Sequence, residues 1–178
     1  MKFLEKGLLF SETVRLPWGN IKIKIGKNKI LELVSDTPQH RQYIIEYLKS
    51  RLWNNDENHQ QNCIEMETCI TENFIRIGTW QEEPEIETFL NIAGLLEKKD
   101  SLVEGLNDYE KTKLNLLRQA LLNRRVVVLQ DPFEKLTMGE KEELKNIMIE
   151  FSLWNTIIVT GTLDEQINDL FDQIISID

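Results

Sequence analysis

The sequence predicts an α/β fold with a mostly parallel central sheet, flanking helices and an antiparallel β portion near its start. Val126-Val127-Val128-Leu129 and Ile157-Ile158-Val159 are short, continuously apolar, β-branched runs of the kind a strand buried on both faces requires. From residue 107 on, segments of helical spacing alternate with such runs, and that alternation predicts parallel strands joined by crossovers. All 178 residues are read as a single domain.

In chain order, Ile21 to Ile25 alternates apolar and charged residues, Gly26-Lys27-Asn28 supplies a turn, and Ile30 to Val34 follows as a second strand, which together predict a hairpin. Thr37-Pro38 puts a capping hydroxyl before a proline at the first helical position, and Ile44, Ile45, Leu48 and Leu52 share one helical face. Residues 53 to 62, WNNDENHQQN, are polar and without period, as in a surface loop, and a strand is expected at Phe74 to Ile77.

A second helix is expected over Ile86 to Leu96. The third is better marked, for Asn107 caps it, Glu110 completes a capping box, Leu114, Leu117 and Leu121 recur on one side, and Arg124 and Arg125 suit its end. Residues 139 to 151 form a fourth helix, Leu163 to Phe171 a fifth, and Ile174 to Ile177 the last strand.

Composition narrows the function classes. Thirty acidic against twenty-one basic side chains give a net charge of −9, which opposes nucleic acid or anionic lipid as a long-range partner. No run of eighteen apolar residues occurs and the first residues lack a secretory pattern, so a cytoplasmic location is expected. Cys63, Cys69 and His59, with distant His40, match no usual zinc spacing, and no metal or cofactor is expected. Glu82, Glu83, Glu85 and Glu87 read as a solvated acidic face.

The motifs in the second half resemble those of the ABC ATPases, a P-loop NTPase family whose ATP sites form between two domains. Leu106-Asn107-Asp108-Tyr109-Glu110 stands where that family has its LSGGQ signature, and Arg118-Gln119-Ala120-Leu121-Leu122 is similar to its ARAL stretch. VVVLQDPFEKLT resembles the Walker B strand and D-loop, which puts Gln130 at the magnesium-side aspartate, Asp131 at the catalytic glutamate and Thr137 at the D-loop aspartate. Gly161 falls on the switch histidine. In LELVSDTPQHRQY, Ser35, Pro38 and His40 fall on the Walker A glycines, Arg41 on the lysine and Gln42 on the hydroxyl residue. Gln81 matches the Q-loop glutamine and Phe10 the adenine-stacking aromatic, while only about 82 to 105 remain for the family's helical subdomain, room for one helix and a turn.

These substitutions weigh against catalysis. A phosphate loop needs converging N–H groups, close-approach glycines, a lysine and a hydroxyl, whereas Pro38 has no N–H, Asp36 adds a like charge and Arg41 is a longer, forked cation. Gln42 and Gln130 offer neutral amides where Mg²⁺ wants anionic oxygen. Asp131 is expected to cap the turn before Pro132. Asp108 and Glu110 put carboxylates, and Tyr109 bulk, where the signature binds an anion. The resemblance with these changes implies a catalytically inactive subunit that works by binding, on the inner face of a membrane, an integral membrane protein, another ABC-type ATPase or a second copy. Trp80, Gln81 and Phe89 are the candidate partner residues, with Trp53 a further aromatic to test. A divergent ATPase using Arg41, Gln81, Asp131 and Phe10 is the alternative, and a DNA-associated relative is disfavoured by charge.

Overall fold

A computed structural model describes residues 8–52, 70, 83–121 and 126–178. Two compact units divide them: Met1–Leu52 with Arg125–Asp178, and Trp53–Arg124. The expected strand at Phe74 to Ile77 and the loop 53 to 62 lie outside the described residues, as do Trp53, His59, Cys63, Cys69, Trp80, Gln81, Arg124 and Arg125.

The first unit opens with strands β1 (Leu8–Leu16) and β2 (Gly19–Gly26), paired antiparallel across Pro17 and Trp18. Alternation drives the pairing, since Val14 and Leu16 on β1 and Ile23 and Ile25 on β2 are buried while their charged neighbours face water. This corrects the expected hairpin, because β2 turns back on β1 and strand β3 (Ile30–Val34) leaves for another sheet. Asn28, at φ 54°, makes the exit. Its N–H donates to Thr156 Oγ1 at 2.9 Å and its side-chain amide to the Leu153 carbonyl at 2.8 Å, which hands the chain to its new neighbours. Ile30 to Leu33 are all buried, a pattern that suits an interior parallel strand and not a half-exposed hairpin arm.

The second sheet runs β4-β5-β3-β6, with β4 (Val126–Gln130), β5 (Thr156–Gly161) and β6 (Gln173–Ser176), and every pairing is parallel. Helix α1 (Pro38–Leu52) follows β3 and buries Arg41, Ile44, Ile45 and Leu48. A further helix of this unit spans Met138–Ser152 and starts at a capping box in which Thr137 Oγ1 accepts from Glu140 N while the Glu140 carboxylate accepts from Thr137 N. Thr137 is thus a helix cap.

The helix expected over Leu163 to Phe171 is absent, and only a 3₁₀ turn at Asn168–Leu170 forms there. Asp164 Oδ1 accepts from Gln166 N at 3.0 Å and Oδ2 from Lys141 Nζ at 2.6 Å, so the residue closes a local turn and anchors it to a neighbouring helix. With Leu163 59% exposed, the segment has no continuous apolar face to bury.

The second unit holds α2 (Glu83–Ile92), 3₁₀ turns at Leu96–Lys98 and Val103–Gly105, and α3 (Asp108–Leu121); the helix from Met138 to Ser152 is accordingly α4. One helix and short turns over 83 to 105 match the expected insert. Gly94 ends α2 at φ 63°, with Leu95 N donating to Leu90 O and Gly94 N to Asn91 O, the paired bonds of a Schellman cap. The capping box at Asn107 and Glu110 is formed as expected, with N···O distances of 3.0 and 2.8 Å. No described helix is long and apolar enough to cross a membrane.

Val127 is 0% exposed at the centre of β4. Replacing it with Asp buries an unpaired carboxylate at a cost of several kcal/mol against a total stability of about 5 to 15 kcal/mol. The variant is expected to lose its cooperative thermal transition, and a wild-type melting curve would contradict the buried position.

Candidate functional site

Parallel strands deliver their following loops to one edge of the sheet, and here the turns after β4 and β5 meet Glu32 of β3 and Arg41 of α1 around a pocket of about 250 Å³. Arg41, Asp131, Gly161 and Glu32 line it, with Phe133 and Ile167 as an apolar wall.

Arg41 reaches inward from α1. Its Nε lies 2.8 Å from Asp131 Oδ1 and its guanidinium donates to the Ser35 carbonyl, so one cation ties the ends of β3 and β4 to the helix. Asp131 stands at φ 46° and its N–H donates to the Thr160 carbonyl at 2.9 Å. Its carboxylate therefore meets Arg41, and the turn before Pro132 is closed by backbone instead, Glu134 N donating to Asp131 O. Gln130 is exposed at the end of β4, and Gln42 donates to Glu46 along α1 at 2.6 Å. Neither amide is drawn into the pocket lining.

A second cluster sits at the N-terminus of α1. The Asp178 carboxylate accepts from the Ser35 hydroxyl, from His40 Nδ1 at 3.0 Å and from the Asp36 N–H at 3.3 Å. Facing an ionised carboxylate, His40 Nδ1 is the protonated nitrogen. The Ser35 hydroxyl first, then the His40 ring, hold the Asp178 carboxyl below the usual carboxylate range. Trp18 closes the cluster from the hairpin turn, its ring stacked 3.6 Å from that of His40 and its Nε1–H donating to the Ile177 carbonyl at 2.7 Å. Pro38 occupies the first helical position, where its missing N–H costs nothing.

The residues matched to the signature lie on the other unit. Asn107 and Glu110 cap α3 against each other, Asp108 is exposed and Tyr109 is buried. Although burial pushes the Glu110 carboxyl up, the Lys98 ammonium and the Asn107 N–H hold it below its ordinary range. Phe89 is half-buried on α2, and Phe10 is half-buried on β1 opposite Ile25.

The sequence reading missed Glu32, Trp18 and Asp178. Glu32 carried a legible signal, a charged residue inside the apolar run ILELV. It is 1% exposed, and its Oε2 has no hydrogen-bond partner among the described residues. Burial, with the Asp164 charge adding to it, pushes the Glu32 carboxyl up to about 7. Thr160 Oγ1 on β5 is likewise buried without a partner.

No protein-family model and no curated protein matches the chain. Solved structures do. A Clostridium perfringens protein, part of an ABC transporter complex, superposes with a TM-score of 0.69 at 13% identity over 92% of this chain and 81% of its own. A Pyrococcus furiosus protein assigned as the ATP-binding protein of an ABC transporter gives 0.69 at 12% over 96% and 94%. The ADP conformation of an ATP-binding cassette of an ABC transporter gives 0.67 at 12% over 89% and 80%. The chain has the ABC ATPase fold.

Two outcomes follow. Between about pH 4.5 and 7 the folded chain keeps a Glu32 proton that the unfolded chain has released, so this group's contribution is complete at low pH and lost as pH rises through 7. Relative to Glu32→Gln, the wild type is expected to lose about 3 kcal/mol between pH 4 and 8 in urea titrations; a constant difference would refute the buried carboxyl. Arg41→Ala leaves Asp131 and the Ser35 carbonyl without their partner, and a loss of about 3 kcal/mol is expected in the same assay.

Proposed function

We propose that this chain is an ABC-ATPase-like subunit that does not hydrolyse ATP and serves as a structural or regulatory binding component of a membrane-associated, transporter-like complex. Its partners are an integral membrane protein, another ABC-type ATPase subunit or a second copy of itself, met at the inner face of the cell membrane. The solved structures of similar fold include parts of ABC transporters, which supports the setting.

The observation that carries the reading is the Asp178 carboxylate at the start of α1. A helix N-terminus after a strand is where this fold receives phosphate, and here the donors it offers, Ser35 Oγ, Asp36 N and His40 Nδ1, are on an internal anion. The one cation of the loop, Arg41, is turned under it toward Asp131. A triphosphate arriving there meets like charge, no N–H from Pro38 and a committed guanidinium. Trp18, the aromatic beside this helix terminus, is stacked on His40.

A second reading, a divergent ATPase, draws on the position of Asp131 beside a basic group at the edge of the pocket. Nucleotide separates the two. A ligand at 100 times its Kd stabilises by about 2.7 kcal/mol, a rise of roughly 5 to 10 °C for a chain of this size. Millimolar Mg-ATP is expected to leave the melting temperature unchanged, and in tagged pull-downs from membranes Trp80→Ala and Phe89→Ala are expected to lose partners that the folded wild type retains. A saturable, magnesium-dependent rise would put the ATPase reading first.

A further inference from the structure

Among the described residues, the pocket holds one buried carboxyl with no cation paired to it. Arg41 is taken by Asp131, and Lys141 by Asp164 at 2.6 Å and Gln166 at 3.3 Å, while Glu134 and Lys135 are exposed at the rim. Glu32 lines the same pocket from β3, 1% exposed, with Oε2 unpartnered. Asp164 is already paired with Lys141, so the guest suited to the site is one whose own positive charge pairs with the Glu32 carboxylate. A Cβ on Gly161 would sit in ordinary contact 3.4 Å from Glu32 Oε1, so a branched side chain there would extend over the carboxyl.

We propose that this pocket binds a small primary alkylammonium ion, its NH₃⁺ head on the Glu32 carboxylate and its short tail on the apolar wall of Phe133 and Ile167. A buried carboxylate needs a partner that is charged and donates hydrogen bonds, and an ammonium group is both. A divalent metal suits the site poorly, because it wants six or more hard oxygens and no cluster of three His, Cys, Asp or Glu able to hold one occurs among the described residues. At about 30 Å³ for each water-sized group, a pocket of about 250 Å³ takes roughly eight such groups, enough for an amine of a few carbons. The inference is independent of whether the chain binds nucleotide.

Binding exchanges the Glu32 proton for the amine, so it must be coupled to pH. Of the other charged groups facing the pocket, Asp131 pairs with Arg41 and Asp164 with Lys141, while Glu134 and Lys135 stand exposed at the rim. Calorimetry on the full chain with butylammonium chloride tests this. Saturable binding is expected, about tenfold weaker at pH 6 than at pH 8, with close to one proton released per amine at pH 6 when two buffers of different ionisation enthalpy are compared. Glu32→Gln should weaken it at least tenfold. Gly161→Val, which fills the space over an unchanged carboxyl, should do the same, and it covers the case in which the Glu32 variant does not fold. Absence of binding, equal binding by 1-butanol or potassium chloride, or undiminished binding by both folded variants would overturn the assignment.

Discussion

The Arg41 guanidinium organises everything at the sheet's edge. It is 8% exposed, it comes from the first turns of α1, and it holds the Ser35 carbonyl at the end of β3 and the Asp131 carboxylate after β4. A charge so placed must be satisfied, because an unpaired buried ion costs more than the fold can spare. The carbonyl that accepts from it and the carboxylate that pairs with it therefore fix where the loops after β3 and β4 run. The left-handed backbone at Asp131 is tolerated because the carboxylate and the N–H are both engaged, one by Arg41 and the other by Thr160. Once those turns are set, the floor of the pocket and the space left by Gly161 are set with them.

Above that ion pair the molecule answers a helix N-terminus with its own carboxylate. The partial positive charge of α1 and three donors converge on Asp178, and the Trp18 ring covers the imidazole that completes the set. These donors are satisfied within the chain. A carboxylate also meets the start of α3, where Glu110 accepts from the Asn107 N–H.

How much of this was legible depended on range. Strands β4 and β5 and the capping box at Asn107 are written in local pattern, and they were read correctly because burial on both faces or a cap three residues away leaves an unmistakable order of residues. The hairpin was misread because Gly26-Lys27-Asn28 is a turn by composition, and only the long-range bonds from Asn28 to Leu153 and Thr156 decide which sheet β3 enters. The supposed helix at Leu163 failed because Asp164 spends both oxygens on a turn and a lysine. In the site, Arg41 and Asp131 were named, but their meeting was not, since their partnership is made across the chain. Asp178 had no local mark at all.

Strand β3 has consequences for how the chain reaches this state. Its neighbours on both sides, β5 and β6, come from far downstream: Asn28 bonds Thr156 at a separation of 128 positions, and Ile30 bonds Asp172 at 142. Loop closure over such spans precedes any reward from the contacts, so high contact order makes the central sheet a late and slow event of folding. Until β5 and β6 are made, a strand apolar at every position but Glu32 waits in solution with two open edges, and during synthesis that interval is when chaperone capture competes with edge-to-edge aggregation.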